Sequence, residues 1–115
     1  MPTSAPTPSN PPAIDLALLR DGSARAVGVL KLLANQDRLL LLCQLSQGEH
    51  CVGELAARLA IRQPTLSQQL TVLRNEGMVL TRRQGKHIYY RVTDPDLLHI
   101  LTLLYRIYCP QRMPS

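Results

Sequence analysis

Between Ala60 and Pro64 the chain has only Ile61, Arg62 and Gln63 in which to leave one leucine-striped segment and enter another. Before this link, from about Cys51 to Ala60, Val52, Leu55, Ala56 and Leu59 recur at the spacing of one helix face. After it, Leu66, Leu70 and Leu73 do the same. Pro64 suits the first turn of the second helix, where no backbone donor is needed, and Gly77 supplies its stop. Two helices joined by three or four residues have the dimensions of a helix-turn-helix.

The flanks narrow the choice further. Met78 to Thr81 and Ile88 to Val92 are rich in β-branched residues and tyrosine and read as paired strands. Arg82 to His87 then form the tip, with Gly85 offering the positive φ of a tight turn. Asp94-Pro95-Asp96 is a helix start, and the apolar residues from Leu97 to Tyr108 cover that helix nearly all round, up to Cys109-Pro110. One small domain can hardly bury so much, so the surplus face reads as a dimer contact.

Upstream, Asn35 is a good N-cap with Asp37 in the following turn, and Leu39 to Leu42, Cys43 and Leu45 make a central helix that ends at Gln47-Gly48. Residues 13–34 give one broken helix or two consecutive ones. Gly22 either breaks the segment or is tolerated within it, and Ser23 is able to cap a second piece. The expected fold is mainly α with a small β-hairpin: a winged helix-turn-helix over residues 13–110, dimeric through its last helix. Residues 1–12, holding five of the nine prolines, read as a disordered tail, and 111–115 as a second tail.

Charge says what such a domain meets. Residues 62–91 carry Arg62, Arg74, Arg82, Arg83, Lys86 and Arg91 against Glu76 alone, a local net of +5. The rest of the chain holds seven basic and seven acidic side chains, so the whole formal net charge of +5 sits in this span. A positive field confined to one helix and one hairpin calls for a polyanion. On the helix, Gln63, Thr65, Ser67, Gln68, Gln69 and Thr71 lie outside the leucine stripe and crowd the N-terminal half. That half is what a recognition helix presents to the major groove of double-stranded DNA. Gln pairs bidentately with adenine, while Ser and Thr serve bases or phosphates. Arg82, Arg83 and Lys86 of the hairpin suit phosphate or minor-groove contacts, which give affinity and salt dependence but little sequence information.

No signal-peptide pattern opens the chain, and its longest purely apolar run is Leu39 to Cys43, so a cytoplasmic protein is expected. Three cysteines without CxxC spacing argue against a disulfide scaffold and a zinc finger. The same lack of CxxC, and of a proton-transfer partner, disfavours a thiol oxidoreductase or peroxidase. Neither an enzyme nor a cofactor is expected.

The segment LKLLANQDRLLLLCQL, followed by VGELAARLAIRQPTLSQQLTVLRNEGMVLTRRQGKHIYYRV, resembles the ArsR/SmtB family of bacterial transcriptional repressors over about residues 24 to 108. The resemblance implies a homodimer, built from the first and last helices, that binds a near-palindromic operator and leaves it on meeting an inducer. Metal-sensing members carry a CVC run before the helix-turn-helix. Cys51-Val52-Gly53 stands there instead, and lacks the second thiolate. The other common metal site uses both ends of the last helix. Here Asp94, Asp96 and His99 stand at its start, but Tyr105, Ile107 and Tyr108 stand near its end, so no metal site is assigned. A metal-responsive repressor using Cys51 and His50 is the alternative.

Cys43 and Cys109 are similar in position to the two cysteines of the persulfide- and redox-responsive (BigR/SqrR-like) subgroup of that family. The resemblance implies that reactive sulfur species or oxidants bridge them, as a disulfide or through extra sulfur atoms, and so release the operator. Cys51 departs from that two-cysteine scheme. On the residues alone, a cysteine in a leucine run, as Cys43 is, is usually a small core hydrophobe. Arg106 and Arg112 flank Cys109 and favour a thiolate there, whereas the helix C-terminus disfavours one.

Overall fold

The computed structural model describes residues 13–110, so the two expected tails, 1–12 and 111–115, lie outside the described residues. The chain divides into two compact units, the first ending at Lys31 and the second beginning at Leu32.

The described part of the first unit is helix α1 (Leu16–Leu33), which runs two residues past the division. The Asp15 carboxylate caps it, accepting from the Ala17 and Leu18 N–H groups at 2.9 and 3.2 Å. Gly22 does not break it. Ser23 starts no second segment; its hydroxyl donates back to the Arg20 carbonyl at 2.9 Å, inside the continuous helix. Of the α1 residues only Leu33 is buried, and Leu16, Leu18, Leu19, Val27 and Leu30 are exposed.

The second unit follows the order α2 (Gln36–Ser46), β1 (His50–Cys51), α3 (Val52–Leu59), α4 (Gln63–Asn75), β2 (Leu80–Gln84), β3 (His87–Arg91) and α5 (Pro95–Tyr108). Caps place the helix starts where short polar side chains invite them. Asn35 Oδ1 accepts from the Arg38 N–H at 3.0 Å, and Asp94 Oδ1 from the Asp96 N–H at 2.9 Å. Helix α2 lies at the centre and packs on α3, α4, α5 and β3. Its Leu41, Leu42 and Leu45 join Leu55 of α3, the α4 stripe of Leu66, Leu70 and Leu73, and Leu97 and Leu101 of α5, all essentially out of solvent. Each such leucine contributes about 1.5–3 kcal/mol through burial. Among the described residues no polar or charged side chain is fully buried, so the core is apolar throughout.

Helix α3 closes on Ala60, which takes the left-handed conformation at φ 55° and donates its N–H to the Ala56 carbonyl at 3.0 Å. Helix α4 ends in a Schellman turn. Gly77 at φ 74° donates to the Arg74 carbonyl at 3.1 Å, and Met78 donates to the Leu73 carbonyl at 2.9 Å. Met78 and Val79 are buried as the chain leaves this turn, and the first hairpin strand starts only at Leu80.

The hairpin differs from its expected outline. The strands are Leu80–Gln84 and His87–Arg91, joined by the two residues Gly85 and Lys86, with Gly85 at φ 63°. Arg82 and Arg83 therefore belong to β2, where they pair with Tyr89 and Ile88, and do not sit at the tip. Strand β1 was not foreseen: its two residues pair antiparallel with β3, His50 opposite Tyr90 and Cys51 opposite Tyr89, giving the sheet order β1-β3-β2. Among the described residues no helix is long and apolar enough to cross a membrane.

Candidate nucleic-acid interface and thiol cavity

Helix α4 buries its leucines against the core and turns the opposite side outward. Gln63, Ser67, Gln68 and Thr71 are exposed there, and the Thr71 hydroxyl donates to the Ser67 carbonyl at 2.9 Å. Thr65 and Gln69 are half-buried. The Gln69 side-chain oxygen accepts from Arg38 Nη1 at 3.1 Å, so this side chain is engaged towards α2. Arg38 in turn donates through Nε to the Leu32 carbonyl at 2.7 Å. Two further cations, Arg62 and Arg74, are exposed at either end of α4.

On the hairpin, Arg83 and Lys86 are exposed and make no ion pair among the described residues. Arg82 differs. Its Nε lies 2.8 and 3.1 Å from the two carboxylate oxygens of Glu49, and its Nη2 also donates to Glu49. Its remaining terminal nitrogen donates to the Gln84 side chain, and its guanidinium carbon lies 4.9 Å from the Tyr89 ring centroid. Arg91 approaches the same carboxylate at 3.7 Å. The hydrogen bond from Arg82, then its charge and that of Arg91, holds the Glu49 carboxyl below the usual carboxylate range.

The thiols are elsewhere. Cys43, half-buried on α2, lines a cavity of about 400 Å³ walled also by Leu40 and Gln44 of α2, Leu59 of α3, and Thr102 and Tyr105 of α5. One turn beyond Tyr105, Cys109 caps the end of α5, exposed, its N–H donating to the Tyr105 carbonyl at 2.9 Å. Burial pushes the Cys43 thiol above its ordinary pKa, and the negative charge of an ionised Cys109 pushes it higher still. The two cysteines stand on elements that pack together, Cys43 on α2 and Cys109 at the end of α5, although 66 positions separate them in sequence. All three cysteines are free thiols.

Cys51 is the N-cap residue of α3, and its N–H donates to the Glu54 carboxylate at 3.0 Å. That bond, chiefly, lowers the Glu54 pKa. His50 beside it meets Gln44 Nε2 at 3.2 Å through one ring nitrogen and Glu54 at 3.6 Å through the other. Asp94 is occupied as the cap of α5. Among the described residues no group of three or more His, Cys, Asp or Glu side chains gathers as a metal would need. Sequence reading missed Arg38 and Glu49, whose partners are 31 and 33 residues away.

Comparison with known proteins agrees with this architecture. The family model described as bacterial regulatory protein, arsR family, matches residues 35–81. The biofilm growth-associated repressor of Agrobacterium fabrum is 48% identical over 96 residues, covering 84% of this chain and 82% of that protein. The transcriptional activator HlyU of Vibrio cholerae is 40% identical over 96 residues, covering 84% of this chain and 89% of its own. The crystal structure of the transcriptional repressor BigR from Xylella fastidiosa superposes with a TM-score of 0.78 at 42% identity, covering 85% of this chain and all of that one.

Proposed function

The chain belongs to the arsR family of bacterial regulatory proteins, and from that membership we propose a dimeric DNA-binding repressor that leaves its operator when Cys43 and Cys109 are bridged. The reading is supported by one observation: Cys43 of α2 lines the cavity between α2, α3 and α5, and α5, whose Tyr105 lines the same cavity, ends in the exposed Cys109.

Output and sensor are separate. Gln63, Thr65, Ser67, Gln68 and Thr71 of α4 read base edges of double-stranded DNA, Gln69 contributes through its tie to Arg38, and Arg83 and Lys86 grip phosphates. Exposed Leu103, Tyr105, Ile107 and Tyr108 on α5, and the exposed leucines of α1, are surface for a second copy. Such a dimer presents two α4 helices to a near-palindromic operator in the cytoplasm.

Cys109, being exposed, meets a reactive sulfur species or oxidant first. Cys43, whose thiol burial keeps protonated, follows as the second partner. Closing a disulfide takes two protons and two electrons from the two thiols and delivers them to the oxidant; with an inorganic polysulfide, thiolate attack breaks sulfur–sulfur bonds of the donor, the expelled hydrosulfide carries away the two electrons, and the sulfane sulfur atoms left behind lie within the bridge. Either bridge ties α2, which supports α4, to the end of the dimerising helix. The spacing of the two recognition helices then changes, and simultaneous fit to both half-sites is lost. A coupling of about 1–3 kcal/mol, typical of allosteric proteins, corresponds to a 5–150-fold loss of affinity.

The test uses a duplex selected from a random-sequence pool by the reduced protein. Polysulfide should release the wild type and the Cys51→Ser variant, and should leave Cys43→Ser and Cys109→Ser bound. Intact-mass and peptide mapping should find Cys43 joined to Cys109. Release persisting in both of the latter variants refutes the reading.

A further inference from the structure

Glu49 stands in the short link between α2 and β1, yet four contacts bind it to the hairpin 33 or more residues away. Arg82 on β2 grips its carboxylate with Nε and Nη2, and Arg91 on β3 reaches it from the neighbouring strand. Leu80 pairs with Arg91 and Arg82 with Tyr89, so both arginines hang from the same ladder of the sheet. The Tyr89 ring lies under the Arg82 guanidinium, and Gln84 takes the remaining terminal nitrogen. The planar fork of Arg82 is thus engaged at Nε and at both terminal nitrogens by protein groups. Arg83, one residue on, faces the other side of the strand and has no ion pair among the described residues; Lys86 at the tip has none either.

The geometry points to Glu49 as a positioning residue for DNA binding: a carboxylate bracket, closed by Arg82 and Arg91, that sets the angle of the hairpin relative to the helix-turn-helix, with phosphate contact left to Arg83 and Lys86. The inference rests on the hairpin's role as a DNA-binding wing. It changes the part assigned to Arg82, whose residue type and neighbourhood in sequence suggest a phosphate ligand. An exposed ion pair of this kind adds little to folding stability. Its effect lies in orientation, because a small rotation at the base of a five-residue strand displaces the tip by several times as much.

Salt dependence separates a positioning arginine from a phosphate-binding one. Each phosphate neutralised contributes about 0.9 to the slope of log affinity against log salt on B-form DNA. Binding to the pool-selected duplex is measured by fluorescence anisotropy at several salt concentrations, and unfolding in urea alongside. Arg83→Gln and Lys86→Gln should each flatten the slope by about one unit. Glu49→Gln and Arg82→Gln should weaken binding several-fold with slope and unfolding midpoint unchanged. The double variant Glu49→Gln/Arg82→Gln should be no weaker than the worse single variant, since both open one bracket.

A slope flattened by Arg82→Gln as by Arg83→Gln overturns the inference, because Arg82 then contacts phosphate. Tighter binding by Glu49→Gln overturns it too, because the carboxylate then competes with DNA for Arg82. Unchanged affinity in both variants reduces the bracket to an ordinary surface ion pair. If Arg83→Gln and Lys86→Gln also leave the slope intact, the wing reading itself falls, and the bracket with it.

Discussion

Gly77→Ala perturbs the joint between the reading helix and the wing, and its cost follows from the backbone. Gly77 holds φ 74°, and a Cβ built there meets no heavy atom within 4 Å, so steric collision plays no part. What remains is the left-handed conformation, which costs an L-residue about 1–2 kcal/mol. Alanine also restricts the unfolded chain, returning about 0.4–1 kcal/mol. The net loss should be about 1 kcal/mol. Gly77→Asn should lose less, since asparagine visits this region more readily. Gly53→Ala provides the opposite sign: Gly53 lies within α3, its added Cβ also meets nothing, and the change should stabilise by up to about 1 kcal/mol. Urea unfolding at one fixed protein concentration measures all three, since any self-association makes apparent stability depend on concentration. A neutral or stabilising Gly77→Ala refutes the strain argument. A loss above roughly 3 kcal/mol refutes the claim of open space around the Cβ.

Cys43 should alkylate with iodoacetamide more slowly than Cys109 at neutral pH, and should accelerate only above the usual thiol range, because a raised pKa keeps the thiol protonated to higher pH. Cys109→Ser removes one of the two raising causes, so it should speed Cys43 alkylation in alkaline solution; equal rates for the two wild-type thiols at neutral pH, by peptide mapping, would count against the burial argument. Asn35→Ala should cost about 1 kcal/mol in urea unfolding through loss of the bond to the Arg38 N–H, and a change within error would mean that water replaces the cap without penalty.

The helix-turn-helix was legible because its signals are local. Pro64, the leucines at 66, 70 and 73, and Gly77 each act within a few residues of themselves, and the structure places α4 over Gln63–Asn75 accordingly. Asn35 and Asp94 announced α2 and α5 for the same reason. Strand β1 escaped because two residues carry no periodicity, and its pairing with Tyr89 and Tyr90 is settled by tertiary packing. The wing tip is shorter than expected because cross-strand partners, Tyr89 and Ile88, hold Arg82 and Arg83 in the ladder, and that pairing leaves no local signal. Gln69 shows a limit of helical periodicity. It lies outside the leucine stripe, yet its face meets Arg38, a partner that spacing along α4 cannot reveal. The nearness of Cys43 and Cys109 likewise depends on α2 packing against α5 and not on any motif.

Cys51 is both the last residue of β1 and the residue that caps α3, so a covalent step of one residue joins the wing's sheet to the helix-turn-helix. Residues 49–91 therefore form a cartridge: their internal fastenings, the β1–β3 pairing and the Glu49 contacts, travel with them when the segment is moved. Transplanted whole between relatives, such a cartridge should, on the function proposed above, carry operator choice while the recipient keeps its own inducer, because Cys43 and Cys109 lie outside it. A graft cut at residue 80 instead parts the wing from its fastening at Glu49 and β1. For a regulator intended as an exchangeable component, the useful seam is the link after α2, not the turn after the reading helix.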